Sequence, residues 1–178
     1  DITDGIKNKI EYIRKQVAYF FRFSILDPTF NISINNNPIT LDELNDVIQS
    51  TQFVWPINET NDALLTRIEE SDSLKKNKNL KMSGIKVAGF IATVEKPSLL
   101  KIRGSNEKVT LDLFVNGRLR ESNILKHIHT ARIVESYLYG QIHYNDLDDE
   151  TDRFTSSREG VVSDDPKYKE LLSKLEKI

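Results

Sequence analysis

The sequence predicts an α+β protein built on one mixed or antiparallel sheet with helices on one face. Three observations carry that expectation. Runs of β-forming residues stand at 84–95 (GIKVAGFIATVE), 109–115 (VTLDLFV) and 137–142 (YLYGQI). A run of helical period, Ile124, Leu125, Ile128, Ala131 and Val134, separates the second from the third. Taken in order, strand, strand, helix and strand make a helix layer packed on a sheet.

The elements follow along the chain. Ile6, Ile10, Ile13, Val17 and Phe20 repeat at alternating four and three, one face of a helix that Asp4 can cap. Phe30, Ile32 and Ile34 alternate with polar residues as in a half-buried strand, and Asn35-Asn36-Asn37-Pro38 is turn chemistry. Thr40 and Glu43 have capping-box spacing ahead of a short helix through Leu44, Val47 and Ile48. Thr51 to Trp55 reads as a strand closed by Pro56, and Ala63, Leu64, Leu65 and Ile68 as a short helix. The polar run Ser71 to Asn79 has almost nothing to bury and reads as a linker or long loop. Asn116-Gly117 supplies the positive φ values of a tight turn. Ser122 can cap the helix over 124–134. Asp165-Pro166 is an N-cap followed by proline at the first helical position, before a stripe of Leu171, Leu172, Leu175 and Ile178.

Composition narrows the function classes. A chain of 178 residues with 38% hydrophobic content can bury a proper core. Its 29% charged residues nearly cancel, to a formal net charge of -2, so no overall field draws DNA or an anionic membrane, and any nucleic-acid contact has to be local. The lack of cysteine removes disulfides, thiol nucleophiles and thiolate metal sites, and is consistent with a cytoplasmic setting. No apolar run has membrane-spanning length, so no membrane partner is expected. The opening Asp1-Ile2-Thr3-Asp4 lacks an initiator methionine, which suggests an excised fragment.

Several constellations have a bland reading that outweighs the functional one. His127 and His129, two apart in the expected helix, point to nearly opposite faces, and His143 ends a strand; no metal site is expected from them. Asp146, Asp148, Asp149, Glu150 and Asp152 lack the glycine and closing glutamate of a calcium loop and read as a solvated run. Ser156 and Ser157 have no nucleophile-elbow context. No Gly-rich phosphate loop occurs, so a nucleotide would have to be held elsewhere. Arg158, in Thr-Ser-Ser-Arg-Glu-Gly, is a permanently charged fork suited to phosphate or carboxylate.

Two groups of short motifs resemble the GHKL ATPases. Phe114-Val-Asn-Gly-Arg118 with Leu119-Arg120-Glu121 and Ile124 resembles the second domain of MutL-type mismatch-repair ATPases. Tyr139-Gly140-Gln141-Ile142-His143, Asp146-Leu147 and Ser157-Arg158-Glu159 resemble the middle segment of the ninety-kilodalton heat-shock chaperone. Gly89 to Lys101 is similar to bacterial GHKL ATPases of the MORC-like kind. The resemblance implies a division into residues 1–55 as the exit of an ATPase domain, 56–83 as linker, 84–162 as a ribosomal-protein-like transducer domain and 163–178 as a closing helix. It implies that Arg158 acts catalytically on the γ-phosphate in a preceding domain, with Ser157 and Thr155 beside it at the nucleotide. Thr155 and Val162 depart from the chaperone pattern, which has asparagine and glutamine there. ATP and Mg2+ are then cofactors of the parent protein, with none for the fragment alone. The implied partners are the N-terminal ATPase domain, a second copy in a homodimer, and DNA. The alternative is a non-enzymatic module that binds nucleic acid or protein through Lys75, Lys76, Lys78, Arg118 and Arg120.

Overall fold

The strongest strand runs meet at the centre of a six-stranded mixed sheet. The computed structural model describes residues 10–27, 29–58, 60–102, 107–128, 133–155 and 160–178. Its strands are β1 (Ser33–Ile34), β2 (Asn37–Pro38), β3 (Thr51–Ile57), β4 (Lys76–Asn77), β5 (Ala88–Val94), β6 (Leu111–Val115), β7 (Arg118–Glu121) and β8 (Leu138–His143). Its helices are α1 (Ile10–Phe20), α2 (Asn45–Gln49), α3 (Ala63–Glu69) and α4 (Pro166–Leu175). The sheet order is β4-β3-β5-β8-β6-β7; β3/β4 and β6/β8 pair parallel and the remaining neighbours antiparallel. β1 and β2 form a separate two-residue ribbon. The α+β class and the mixed sheet are thus what the chain builds.

Period-two alternation sorts each central strand between two cores. Phe90, Ala92 and Val94 of β5 and Tyr139 of β8 join Ala18, Tyr19, Leu44, Val47, Leu64 and Ile68 on one face, under α1, α2 and α3. Ile91, Leu111, Leu113, Val115 and Ile142 meet Tyr168, Leu171 and Leu175 of α4 on the other. Three helices therefore share one face, and the C-terminal helix covers the second.

Local chemistry sets most boundaries. Asn35 and Asn36 take φ of 51° and 62°, and Asn116 and Gly117 take 49° and 74°, the left-handed pairs that close tight hairpins. Thr40 accepts from Asp42 N and starts a 3-10 turn over Leu41–Leu44, while Glu43 turns to Arg14 of α1. Asp62 caps α3 and Asp165 caps α4 through Tyr168 N. The Asp4 cap and Ile6 lie outside the described residues.

Three expectations are corrected. The strand at 51–55 runs through Pro56, which pairs with Phe90. Proline is tolerated because its nitrogen faces the side on which β4 has ended, where its carbonyl takes Leu80 N at 2.7 Å. The polar run 71–79 is mostly loop, but it adds β4 to the sheet edge. The helix expected over 124–134 does not form across the described part. Ile124–His127 and Ile133–Tyr137 are 3-10 turns, Asn123 ahead of the first is left-handed at φ 52°, and Ile133 and Val134 are 84% and 61% exposed. The Phe114–Arg118 motif is a β6/β7 hairpin closed by the expected Asn116-Gly117 turn.

Candidate functional site

Register brings polar side chains together on the face under α1 to α3. Asp112 pairs with Gln141 and Phe114 with His143 across parallel β6 and β8. The turn that follows α1 lowers Arg22 onto them. Its Nε donates to Gln141 Oε1 at 2.8 Å, one Nη to Tyr19 O at 2.8 Å, and the other to Asp112 Oδ2 at 2.7 Å. The guanidinium also lies 4.6 Å from the ring centroids of Tyr19 and Phe114. Asp112, wholly buried, accepts further from Tyr19 Oη at 2.7 Å, Thr110 Oγ1 at 2.6 Å and Asn123 N at 3.0 Å. Burial, and then the Asp112 charge, push the Tyr19 phenol well up, so it remains a donor. A pair this saturated has no free valence for a ligand and acts as an anchor.

The network continues outward. Gln141 Nε2 donates to Asp62 Oδ2, whose other oxygen takes Leu64 N at 2.9 Å and Leu65 N at 3.0 Å. The same carboxylate faces His143 Nε2 at 3.5 Å, a contact longer than a good hydrogen bond. His143 rests between Phe23, with centroids 5.0 Å apart, and Phe114, at 5.5 Å. It lines an open cleft of about 600 Å³ with Asn58, Lys86, Asn145 and Asp146. A second cleft of about 490 Å³ holds Asn116, Arg118 and the acidic run. Between them runs the Asn145–Leu147 turn, held by Asn116 N on Asn145 Oδ1 at 2.8 Å. The ends of β3, β6 and β8 and the starts of β5 and β7 meet here, so the loops at this end of the sheet form one polar surface.

Burial works against the Asp62 charge, but the His143 contact and the donors from Leu65 and Gln141 outweigh it and hold the carboxyl below its usual range. A carboxyl depressed in the fold contributes stability above its unfolded value near 4, and that contribution fades as pH falls through the folded value. Asp62→Asn keeps an oxygen for the α3 cap and removes the charge. It is expected to cost about 1–2 kcal/mol at pH 7 and distinctly less at pH 3, read from urea titrations. An equal cost at both values would refute the charge role.

The residues expected from sequence fare differently. Ser157 and Arg158 lie outside the described residues, as do Ser156 and His129. Thr155 donates its N–H to Gly160 O at 2.8 Å, beside the antiparallel bridge that pairs Phe154 with Val161. Arg120 is buried with its guanidinium 4.5 Å over Phe154, so it is no surface cation. Glu121 is held by Lys126 at 2.6 Å and accepts Val161 N at 3.1 Å, with His127 Nε2 at 3.4 Å. Asp149 binds Arg153 and Lys167, which ties down part of the acidic run. Among the described residues no group of three His, Cys, Asp or Glu lies close enough to hold a metal ion. No helix among them is long and apolar enough to cross a membrane. Lys75 and Lys78 flank β4 on one sheet edge, while Arg118 is on β7 at the other. Five strand spacings of about 4.8 Å separate those edges, so the proposed cation set is split in two. Sequence reading did not single out Arg22, Asp62, Asp112 or Gln141; the one local signal was a carboxylate interrupting the apolar run Leu111-Asp112-Leu113.

No protein-family model and no solved structure matches the chain. Over 177 residues it is 30% identical to a protein of Herpetosiphon aurantiacus provisionally named type II restriction enzyme HgiDII. The aligned stretch is 97% of this chain and 28% of that protein, so the chain spans little more than a quarter of its relative's length. This likeness overturns the GHKL resemblance, and with it the transducer, mismatch-repair and MORC-like readings. Asn116-Gly117 closes the β6/β7 hairpin as its sequence predicts, and Asn-Gly between two strands encodes such a turn whatever the family. ATP and Mg2+ as cofactors, and a nucleotide role for Thr155, Ser157 and Arg158, were implied by that resemblance alone.

Proposed function

We propose that this chain is a DNA-contacting segment of a restriction-type protein, and that it meets DNA through the loops at the His143 end of the sheet. The observation that carries the proposal is the likeness over nearly the whole chain to a protein named as a restriction enzyme. The surface chemistry supports it. Lys86 and Arg118 are exposed and make no ion pair among the described residues, and Asn58, Asn116 and Asn145 offer amides beside them. Cations and amides on loops are the groups that bind phosphate and sugar, and here they stand among the carboxylates Asp146, Asp148, Glu150 and Asp152 of the same clefts, so the contacts are with single phosphates and not with a cationic patch. Affinity for labelled DNA, measured by anisotropy, is expected to fall steeply as salt rises from 50 to 200 mM. Lys86→Ala and Arg118→Ala should each weaken binding several-fold and lower the salt slope by about one. A flat titration at low salt would end the proposal.

A further inference from the structure

The sheet edge at β4 concentrates positive charge in a chain whose net charge is -2. From Ser73 to Val94 the sequence holds five lysines, Lys75, Lys76, Lys78, Lys81 and Lys86, and no aspartate or glutamate, while Thr51 to Asn58 holds no charge at all. The backbone lays the first part of this stretch along the rim. Lys75 N, Lys78 N and Leu80 N donate to Gln52 O at 2.8 Å, Val54 O at 3.2 Å and Pro56 O at 2.7 Å. One parallel register runs from Phe53 opposite Lys76 to Ile57 opposite Leu80, so Lys75 to Lys81 spans about 20 Å of the edge. Lys75, Lys78 and Lys81 are exposed and make no ion pair among the described residues. At a rim a lysine stem reaches past the edge from either face. Glu69 shares a cleft with Leu65 and Asn79, and Glu70 and Asp72 share one with Asn45 and Gln49, all on the side of α2 and α3. On the α4 side Glu170 lies 3.5 Å from Lys174, whose Nζ donates to Ser83 O at 2.7 Å. The rim itself is left to the lysines.

We infer that the β4 edge grips the phosphate backbone of duplex DNA through Lys75, Lys78 and Lys81 and leads it toward the Lys86 cleft. The inference rests on the DNA-contact reading and gives it a second surface, one that does carry a cationic row. Continuity sets the path: Met82 N donates to Asn58 Oδ1 at 2.9 Å, and Asn58 lines the cleft with Lys86. Charge selects the occupant. Lysines along an edge oppose the addition of a further strand, and the same edge of a second copy is repelled. Duplex DNA carries one charge per about 1.7 Å of axis, so a row of about 20 Å faces the phosphates of about six base pairs. Base faces are not called on, since the half-buried rings of Phe53 and Trp55 beside the row stack on each other with centroids 6.2 Å apart.

The test titrates a labelled duplex of about 20 base pairs with the 178-residue chain, by anisotropy between 50 and 200 mM salt. The triple variant Lys75→Gln/Lys78→Gln/Lys81→Gln is expected to bind at least tenfold more weakly and to lose two to three from the salt slope. The control Lys96→Gln/Lys101→Gln/Lys108→Gln removes the same charge at exposed positions elsewhere and should change affinity less than twofold. The chain has one tryptophan, Trp55 on β3 beside the row, and its emission should fall as unlabelled duplex binds the unaltered chain but not the β4 variant. Equal losses in the two triple variants mean that net charge alone matters, and overturn the inference. A β4 variant that binds like the unaltered chain, while Lys86→Ala and Arg118→Ala weaken binding, overturns it and leaves the DNA-contact reading standing. Failure of the unaltered chain to bind overturns both.

Discussion

Replacing Arg22 with methionine is expected to cost about 3–5 kcal/mol of folding stability. Methionine fills much of the volume but leaves Gln141 Oε1 without its donor and Asp112 Oδ2 with Tyr19 Oη alone, in a site where Asp112 is 0% and Arg22 3% exposed. A buried carboxylate stripped of its cation cannot recover water, so the penalty is that of an uncompensated charge. Asp112→Leu should cost a similar amount, because it strands the guanidinium. The double variant Arg22→Met/Asp112→Leu should cost clearly less than the two singles together, since it removes both charges at once. Urea titrations of the four proteins decide the matter; a single-variant cost below about 1 kcal/mol, the scale of exposed pairs such as Lys169–Asp164, would show that the pair is not the anchor described. The expected effect on function is indirect. Arg22 fixes Gln141, Gln141 fixes Asp62, and Asp62 stands behind His143, so loosening the anchor loosens the polar end of the sheet.

What the sequence made legible follows from how local each determinant is. β5, β6 and β8 announce themselves by β-branched and aromatic runs, α3 by its apolar stripe and α4 by an aspartate cap and an apolar stripe, all within a few residues. The failure at 124–134 has a physical cause: the apolar spacing was helical, but left-handed Asn123 breaks the entry, and Ile133 and Val134 face solvent. Spacing reports a helix only when one face has something to pack on. The site was mostly hidden because it is made by register. Arg22 meets Asp112 and Gln141 from 90 and 119 residues away, and Gln141 meets Asp62 from 79. Of Arg22, Asp62, Asp112, Gln141 and His143, only Gln141 and His143 are close in sequence, two apart on β8. Arg158 drew attention for the opposite reason, as a conspicuous charge in a small-residue loop, and conspicuousness is not contact.

Gly89→Ala and Gly140→Ala are each expected to destabilise the chain by at least about 3 kcal/mol, and to reduce soluble yield sharply. The two residues sit on adjacent strands, Gly89 opposite Ile142 and Gly140 opposite Ile91, at φ of 129° and 151°. A Cβ on Gly89 would lie 2.0 Å from Gln141 O, and one on Gly140 would lie 2.2 Å from Phe90 O. In both cases the obstacle is the backbone of the neighbouring strand, which cannot rotate away as a side chain can. Relief requires β5 and β8 to part, at the seam where the two cores are divided and where Gln141 and His143 are aligned with Asp112 and Phe114. Circular dichroism melts of the purified variants give the readout, and a loss under 1 kcal/mol for either would mean that the seam is looser than its geometry requires. The same variants bear on the site. If Gly140→Ala folds at low temperature, displaced β8 should carry His143 and Gln141 away from Asp62, and the difference in Asp62→Asn cost between pH 7 and pH 3 should shrink in that background to what the Leu64 and Leu65 donors maintain.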